Sequence, residues 1–261
     1  MDGTAAAVRR RIGLPAAALA LVLAATACGG DGGGGGGSRE AGGAGPSPSS
    51  AAEEADGSAA SEAGRERLEA AAFEAGGTAA SYQVSPDTEE PLWDLMEYRA
   101  DRAECQPLVS LAAGAVDDDP VAEVHRDVEL DDLGEGPTGR SVAVQLRSYG
   151  PGGAARVLSA LRRAGTECAG GFTEERVLAK AVYRSVEPVG APEVGDEAVA
   201  YRLRIGDVKD EELVLTEYLT VVRSGSTTLS FRLEALSLDD PGPVPDDLVL
   251  AQWKAFEEAG A

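Results

Sequence analysis

Glu197-Ala-Val-Ala-Tyr-Arg-Leu-Arg-Ile205 is the stretch on which the fold turns. Val199, Tyr201, Leu203 and Ile205 alternate with Ala200, Arg202 and Arg204. Successive side chains of a strand point to opposite sides, so this period of two describes a strand with one buried and one polar face. The pattern returns downstream, where Leu229, Phe231, Leu233 and Ala235 alternate with Ser230, Arg232 and Glu234. Between them Leu213–Arg223 reads as another strand, and Ser224-Gly225 supplies a two-residue hairpin turn with Gly at its second position. Half-buried strands joined by tight turns build an antiparallel sheet.

Working upstream, Val177–Val186, Ser141–Tyr149 and Val121–Leu130 also read as strands, with a short one near Ala80–Val84. Helices are expected at four places. The first runs over Ser61–Ala75, with Leu68, Ala71, Ala72 and Ala75 on one side and Gly76-Gly77 after it. The second spans Asp101–Ala113, with Cys105, Leu108, Val109 and Ala112 in a stripe of threes and fours. The third follows Gly150-Pro-Gly-Gly153 and carries Val157, Leu158 and Leu161. The last follows Pro243–Pro245 and carries Val249, Trp253 and Phe256. Hairpin strands with helices packed on one face define an α+β domain, expected over residues 61–261. That length suits one domain with a real core.

The N-terminus reads differently. Arg9-Arg10-Arg11 precedes an apolar run from Ile12 to Ala27, and small residues then lead to Cys28. A charged start, a short apolar segment and small residues describe a secretory signal, expected over residues 1–27. About 15 apolar residues fall short of the ~20 that span a bilayer comfortably. Thr26-Ala27-Cys28 resembles the lipobox of bacterial lipoproteins, although Ala25 stands where that family usually has Leu. The resemblance implies cleavage before Cys28, a diacylglyceryl group on its thiol, and a mature protein on the outer leaflet of the cytoplasmic membrane. A single acyl chain holds only marginally, whereas two make release slow. Residues 28–60 are rich in Gly, Ser, Ala, Pro and acidic residues, with Gly32 to Gly37 uninterrupted. With no large apolar residue they cannot offset the entropy of ordering, so they are expected as a disordered tether with a reach of roughly 30 Å.

Charge narrows the partners. The chain carries a formal charge of −22, and removal of residues 1–27 takes away three Arg and one Asp, leaving −24. Such a field repels nucleic acid and anionic lipid heads. The only histidine, His125, alternates with Val124 and Val128 and shares the polar side of its strand with Glu123, Asp127 and Glu129. No Gly-x-Ser-x-Gly, Ser-x-x-Lys or His-Glu-x-x-His occurs. The aspartate runs Asp117–Asp119, Asp131-Asp132, Asp239-Asp240 and Asp246-Asp247 sit beside turns, where adjacent carboxylates diverge instead of converging on one ion. The expectation is therefore no enzyme, no metal and no cofactor.

Cys105 on the second helix and Cys168 after the third form an even pair outside the membrane, where a disulfide is usual. Free thiols and a metal or redox site are the alternatives. A bridge closing about 63 residues would stabilise the fold by roughly 4 kcal/mol in the chain-entropy account.

The order of short motifs then carries a family resemblance. It runs through Tyr82-Gln-Val84, Glu104-Cys105-Gln-Pro-Leu108, Val142–Tyr149, Thr166-Glu-Cys168-Ala-Gly-Gly-Phe172, Val194-Gly-Asp-Glu-Ala-Val199 and Val221-Val-Arg-Ser-Gly225. This resembles actinobacterial lipoproteins and, more distantly, the PknH-like extracellular sensor domain of receptor kinases, over about residues 65–259. It implies an α+β domain with a cleft-bearing antiparallel sheet, a disulfide pinning the helices, and binding or sensing in place of catalysis. The kinase members carry more cysteines than this chain does.

One constellation stands above the background. Arg202 and Arg204 share the polar face of their strand, and Arg147 and Arg232 take the same phase on theirs. Four guanidinium forks on one face could cradle a carboxylate or phosphate, against the alternative of cross-strand pairing with neighbours such as Glu234. The function expected is a membrane-tethered extracytoplasmic binding domain for a small anionic ligand. An envelope protein acting through protein contacts comes second and a hydrolase third.

Overall fold

The computed structural model describes residues 61–86, 98–112, 119–130, 139–176, 180–206, 210, 212–235 and 238–261. The expected signal segment, the tether and Cys28 lie outside them. So do Asp131-Asp132 and all of the first aspartate run but Asp119.

In chain order the elements are helix α1 (61–71), strands β1 (Thr78–Ala79), β2 (Tyr82–Val84) and β3 (Arg99–Ala100), a 3-10 turn Ala103–Cys105 and helix α2 (Gln106–Ala112). Strands β4 (Ala122–Glu129) and β5 (Arg140–Ser148), helix α3 (Gly153–Glu167) and strands β6 (Phe172–Glu175) and β7 (Lys180–Val189) follow. Strands β8 (Glu197–Gly206), β9 (Val214–Ser224) and β10 (Thr227–Ala235) and helix α4 (Asp246–Ala259) complete the fold. The ten strands form one antiparallel sheet in the order β1-β2-β4-β5-β10-β9-β8-β7-β6-β3. This is the α+β class expected, on an antiparallel sheet with one disulfide.

Local departures from the expected elements have physical causes. α1 stops four residues early because two buried side chains capture its exit. Gln252 of α4 donates to the Ala71 carbonyl at 2.7 Å and accepts from the Phe73 amide, while Arg126 donates to the Phe73 carbonyl at 2.8 Å. The second helix starts with a 3-10 turn, as Pro107 has no amide hydrogen for the Ala103 carbonyl and Gln106 donates to it instead. β6 was absent from the expectation since its inward positions are Phe172 and Glu174, which do not read as an apolar pair. β7 runs three residues past its expected end, and a register shift between Tyr183 and Ser185 breaks its alternation.

The helices divide between the two faces of the sheet instead of gathering on one. Along β9, Leu219 and Val221 join a core with α2 and α3, whereas Tyr218 and Val222 join a core with α1 and α4. Alternate residues of a strand point to opposite sides, so the two cores lie on opposite faces. The α2/α3 face buries Leu108, Val109, Leu158 and Leu161 against Tyr201, Leu203 and Ile205. The α1/α4 face buries Leu68, Leu248 and Phe256 with Val142, Val144, Leu229 and Phe231. Gly165 lets α3 lie close on β8, since a Cβ there would meet the Tyr201 ring at 2.3 Å.

Candidate binding cleft

Cys105 and Cys168 are joined in a disulfide, and both are fully buried. The bond ties the start of α2 to the end of α3 and so holds the two helices over one half of their face. Beyond them, at the end of the sheet where β8 ends and β9 begins, no described helix packs on that face. A cleft of about 460 Å³ lies there, within the ~300–1,000 Å³ usual for small-molecule sites. Its walls include Tyr98, Arg176, Lys180, Ile205, Leu215, Glu217, Arg232 and Glu234.

Strand register explains why charge collects there. Glu217 lies opposite Leu203, and Arg232 opposite Leu219, so both point to the α2/α3 side, just past the last apolar residues of its core. Glu174 lies opposite Ala181 on the same side. Arg232 donates from Nε to Glu217 Oε2 at 3.1 Å, its Nη2 forms an ion pair with the same oxygen at 3.1 Å, and its Nη1 meets Glu234. Arg176 engages Glu174 through Nε, and the Tyr183 hydroxyl donates to the other Glu174 oxygen at 2.8 Å. The Tyr183 ring stacks on Phe172 at 4.3 Å between centroids, which fixes the phenol.

The electrostatics follow from burial. Desolvation pushes the Glu217 carboxyl above the usual carboxylate range, reinforced by Glu234 and opposed by Arg232. Burial likewise holds the Tyr183 phenol well above its ordinary value, with Glu174 and Glu217 adding to the effect. For Arg232 burial acts downward, but Glu217 and Glu234 outweigh it and raise the guanidinium above its ordinary value. The cluster is thus a desolvated set of paired charges beside open space, the arrangement that marks a functional-site candidate.

The expected arginine face is not assembled. Arg202 and Arg204 lie opposite Tyr218 and Thr216 on the α1/α4 side, while Arg147 and Arg232 lie on the α2/α3 side. The reason is the double cover. With helices on both faces, alternation separates apolar from polar positions but does not say which way a strand turns its apolar side. β8 turns its apolar residues to α2 and α3, and β10 turns its own to α1 and α4. Arg202 pairs with Glu187 at 2.6 Å and Asp240 at 3.5 Å. Arg147 is buried and bound to Glu123 at 2.9 Å, away from the cleft. Of the four, Arg232 alone lines the cleft.

His125 pairs with Glu123 on the polar side of β4, as its spacing implied. No group of three His, Cys, Asp or Glu side chains could hold a metal among the described residues. Asp240 accepts from the Tyr218 hydroxyl and the Gly242 amide, so it organises a turn. Arg176, Glu174 and Glu217 were missed from the sequence. Glu217 did leave a signal: it occupies the inward phase shared by Leu215 and Leu219, where a carboxylate is out of place.

No family model matches the sequence, and neither does any curated protein. Among solved structures, the chain is similar to the extracellular domain of PknH from Mycobacterium tuberculosis, at 11% identity and a TM-score of 0.45, over 75% of this chain and 96% of that one. It is also similar to an uncharacterized protein from Mycobacterium smegmatis, the Rv0999 ortholog, at 15% identity and a TM-score of 0.33, over 69% of this chain and 87% of that one. The first is the kind of domain that the order of short motifs resembles.

Proposed function

We propose that this chain is a lipoprotein held by Cys28 on the outer face of the cytoplasmic membrane, with a non-enzymatic, sensor-like domain that binds a ligand in the cleft. The observation that carries the binding role is the charge cluster at the cleft, in which Arg176, Glu217 and Arg232 line the space, buried Glu174 holds Arg176, and the Tyr183 hydroxyl holds Glu174. Buried ion pairs are often no more stabilising than apolar packing of the same volume. Placing such a cluster where space opens beside it favours recognition over structural support. The Cys105–Cys168 disulfide supports an oxidising compartment. Among the described residues no helix is long and apolar enough to cross a membrane, so any attachment through them would need another route.

Two measurements test the proposal. Fractionation of cells expressing Cys28→Ala should find the protein outside the membrane or retained as precursor, and mature-sized protein still in the membrane would overturn the anchor. Native mass spectrometry of the domain purified from its own host should show a copurified small molecule, absent from Leu215→Trp, which fills the cleft. The same bound mass in both proteins would place binding elsewhere.

A further inference from the structure

The cations of the cleft are not equally occupied. Arg232 has all three guanidinium nitrogens engaged by Glu217 and Glu234. Lys180 at the rim is engaged by Glu175. Arg176 uses only Nε, on Glu174, and its two Nη groups have no partner among the described residues. Its guanidinium carbon lies 5.1 Å from the centre of the Tyr98 ring, so the aromatic face and Glu174 together hold the fork in place. The side chain is 32% exposed and lines the cleft. An immobilised fork with unspent N–H groups matches the oxygens of a carboxylate or a phosphate.

The same cleft is also where exposed apolar surface concentrates. Val121, Leu213, Leu238 and Leu250 are the exposed large hydrophobic residues among those described. Two of these four, Leu213 at 40% exposure and Leu238 at 57%, line this cleft and continue into Leu215 and Ile205. Exposed aliphatic surface beside a few convergent polar groups is characteristic of a binding groove.

We infer that the cleft takes an anionic amphiphile, its carboxylate or phosphate head on the Nη edge of Arg176 and its aliphatic body along Leu213, Leu215 and Leu238. This deepens the proposal that the cleft is a binding site and rests on it. A small free anion fits less well. The chain's formal charge of −22 repels it at long range, and Glu217 and Glu234 lie nearby. An aliphatic body adds attraction that does not depend on charge. Those two carboxylates also restrict the site to a single anionic group, at the Arg176 end.

The test is calorimetric titration of the mature chain, below micelle concentrations, with dodecanoate, dodecyl phosphate, dodecyltrimethylammonium, dodecyl maltoside, acetate and inorganic phosphate. Dodecanoate and dodecyl phosphate should bind one to one, and acetate and inorganic phosphate should not. Arg176→Gln should weaken dodecanoate about 10- to 150-fold, the loss expected for a charge-assisted contact. As Arg176→Gln removes a partner of the buried Glu174, Leu213→Ser and Leu238→Ser serve as the second arm. They leave the charge cluster intact and should also weaken dodecanoate. Competition by phosphatidylglycerol vesicles would show that a lipid headgroup can supply the anion, and its absence would point to a free amphiphile. If dodecyltrimethylammonium binds as tightly as dodecanoate, or all three variants bind dodecanoate unchanged, the assigned ligand class is wrong. The binding role would then still stand if a copurified mass is lost in Leu215→Trp. If no alkyl compound binds and no such mass exists, both readings fail together.

Discussion

Arg202 and Arg232 are matched residues in unlike surroundings. Both sit on central strands of one sheet, and both pair with two carboxylates. Arg202 faces the α1/α4 side with its side chain 33% exposed, and its partners Glu187 and Asp240 are more exposed still. Arg232 faces the α2/α3 side at 12% exposure, with Glu217 equally sheltered. Water screens the first cluster, so its charges attract weakly and cost little to hold. In the second, Arg232 and Glu217 have lost most of their water and depend on each other, with only Glu234 reaching solvent at 40% exposure. Pairing alone therefore says little about function. What separates the two sites is desolvation next to a cavity.

The largest expected effect follows from removing one partner of the sheltered cluster. Arg232→Met should destabilise the domain by about 3–5 kcal/mol, the cost of leaving a buried charge uncompensated. The double variant Arg232→Met with Glu217→Leu should recover much of that loss, since it removes both charges. Chemical denaturation of the single and double variants measures the difference. A single variant as stable as the parent would erase the contrast with Arg202.

The disulfide comes next. It lies under the same face as the cleft and holds α2 against α3. Cys105→Ser should lower stability by about 2–5 kcal/mol, the range for native bridges in small exported domains. Alkylation and intact mass of the unreduced parent give the direct check, and two modified thiols would contradict the bond.

The sequence made the elements legible and left their facing ambiguous. Strands β4, β5, β8, β9 and β10 and helices α3 and α4 lie close to where periodicity puts them, and the stripe of Cys105, Leu108, Val109 and Ala112 is buried as expected. Alternation in β8 and β10 is correct residue by residue. It could not relate the two strands, because each has a covered face on a different side of the sheet. An amphipathic pattern encodes the difference between its two faces, and a sheet covered on both sides makes that difference local. The cleft was harder still to see. Glu174 and Arg176 come from the end of β6, Glu217 from the start of β9 and Arg232 from the end of β10, and only the sheet order brings them together. Glu217 on the inward phase of β9 was the one trace available, and it was legible only to a rule that seeks polar residues at apolar positions.

The two clusters should also differ in pH response. Burial raises the Glu217 carboxyl above its ordinary value in the folded state. The folded protein then binds a proton more readily than the unfolded chain. Glu217's contribution to stability is therefore full below the unfolded carboxylate value and is lost as pH rises through the raised folded one. Relative to Glu217→Gln, the parent should gain stability as pH falls from neutral toward about 4.5 and level off below it. Paired denaturation curves across that window read the slope, and a slope of opposite sign would mean that Arg232 outweighs burial at this site.

The smallest effect is expected at Arg202, and it closes the comparison. The Arg202 guanidinium is raised above its ordinary value, chiefly by its hydrogen bond to Glu187. That shift arises in an exposed setting where solvent and salt reduce its consequence. Arg202→Ala should therefore move the melting temperature by no more than about 2 °C, as for a surface change in a domain of this size. The change should fade further at high ionic strength, because screening acts on exposed pairs first. It should leave dodecanoate binding untouched, since Arg202 lies on the face opposite the cleft. A large stability loss would show that the Glu187–Arg202–Asp240 chain supports the turn before α4, where Asp240 also receives the Tyr218 hydroxyl. A loss of binding would mean that the two faces are coupled through β8 and β9, whose alternate residues serve both.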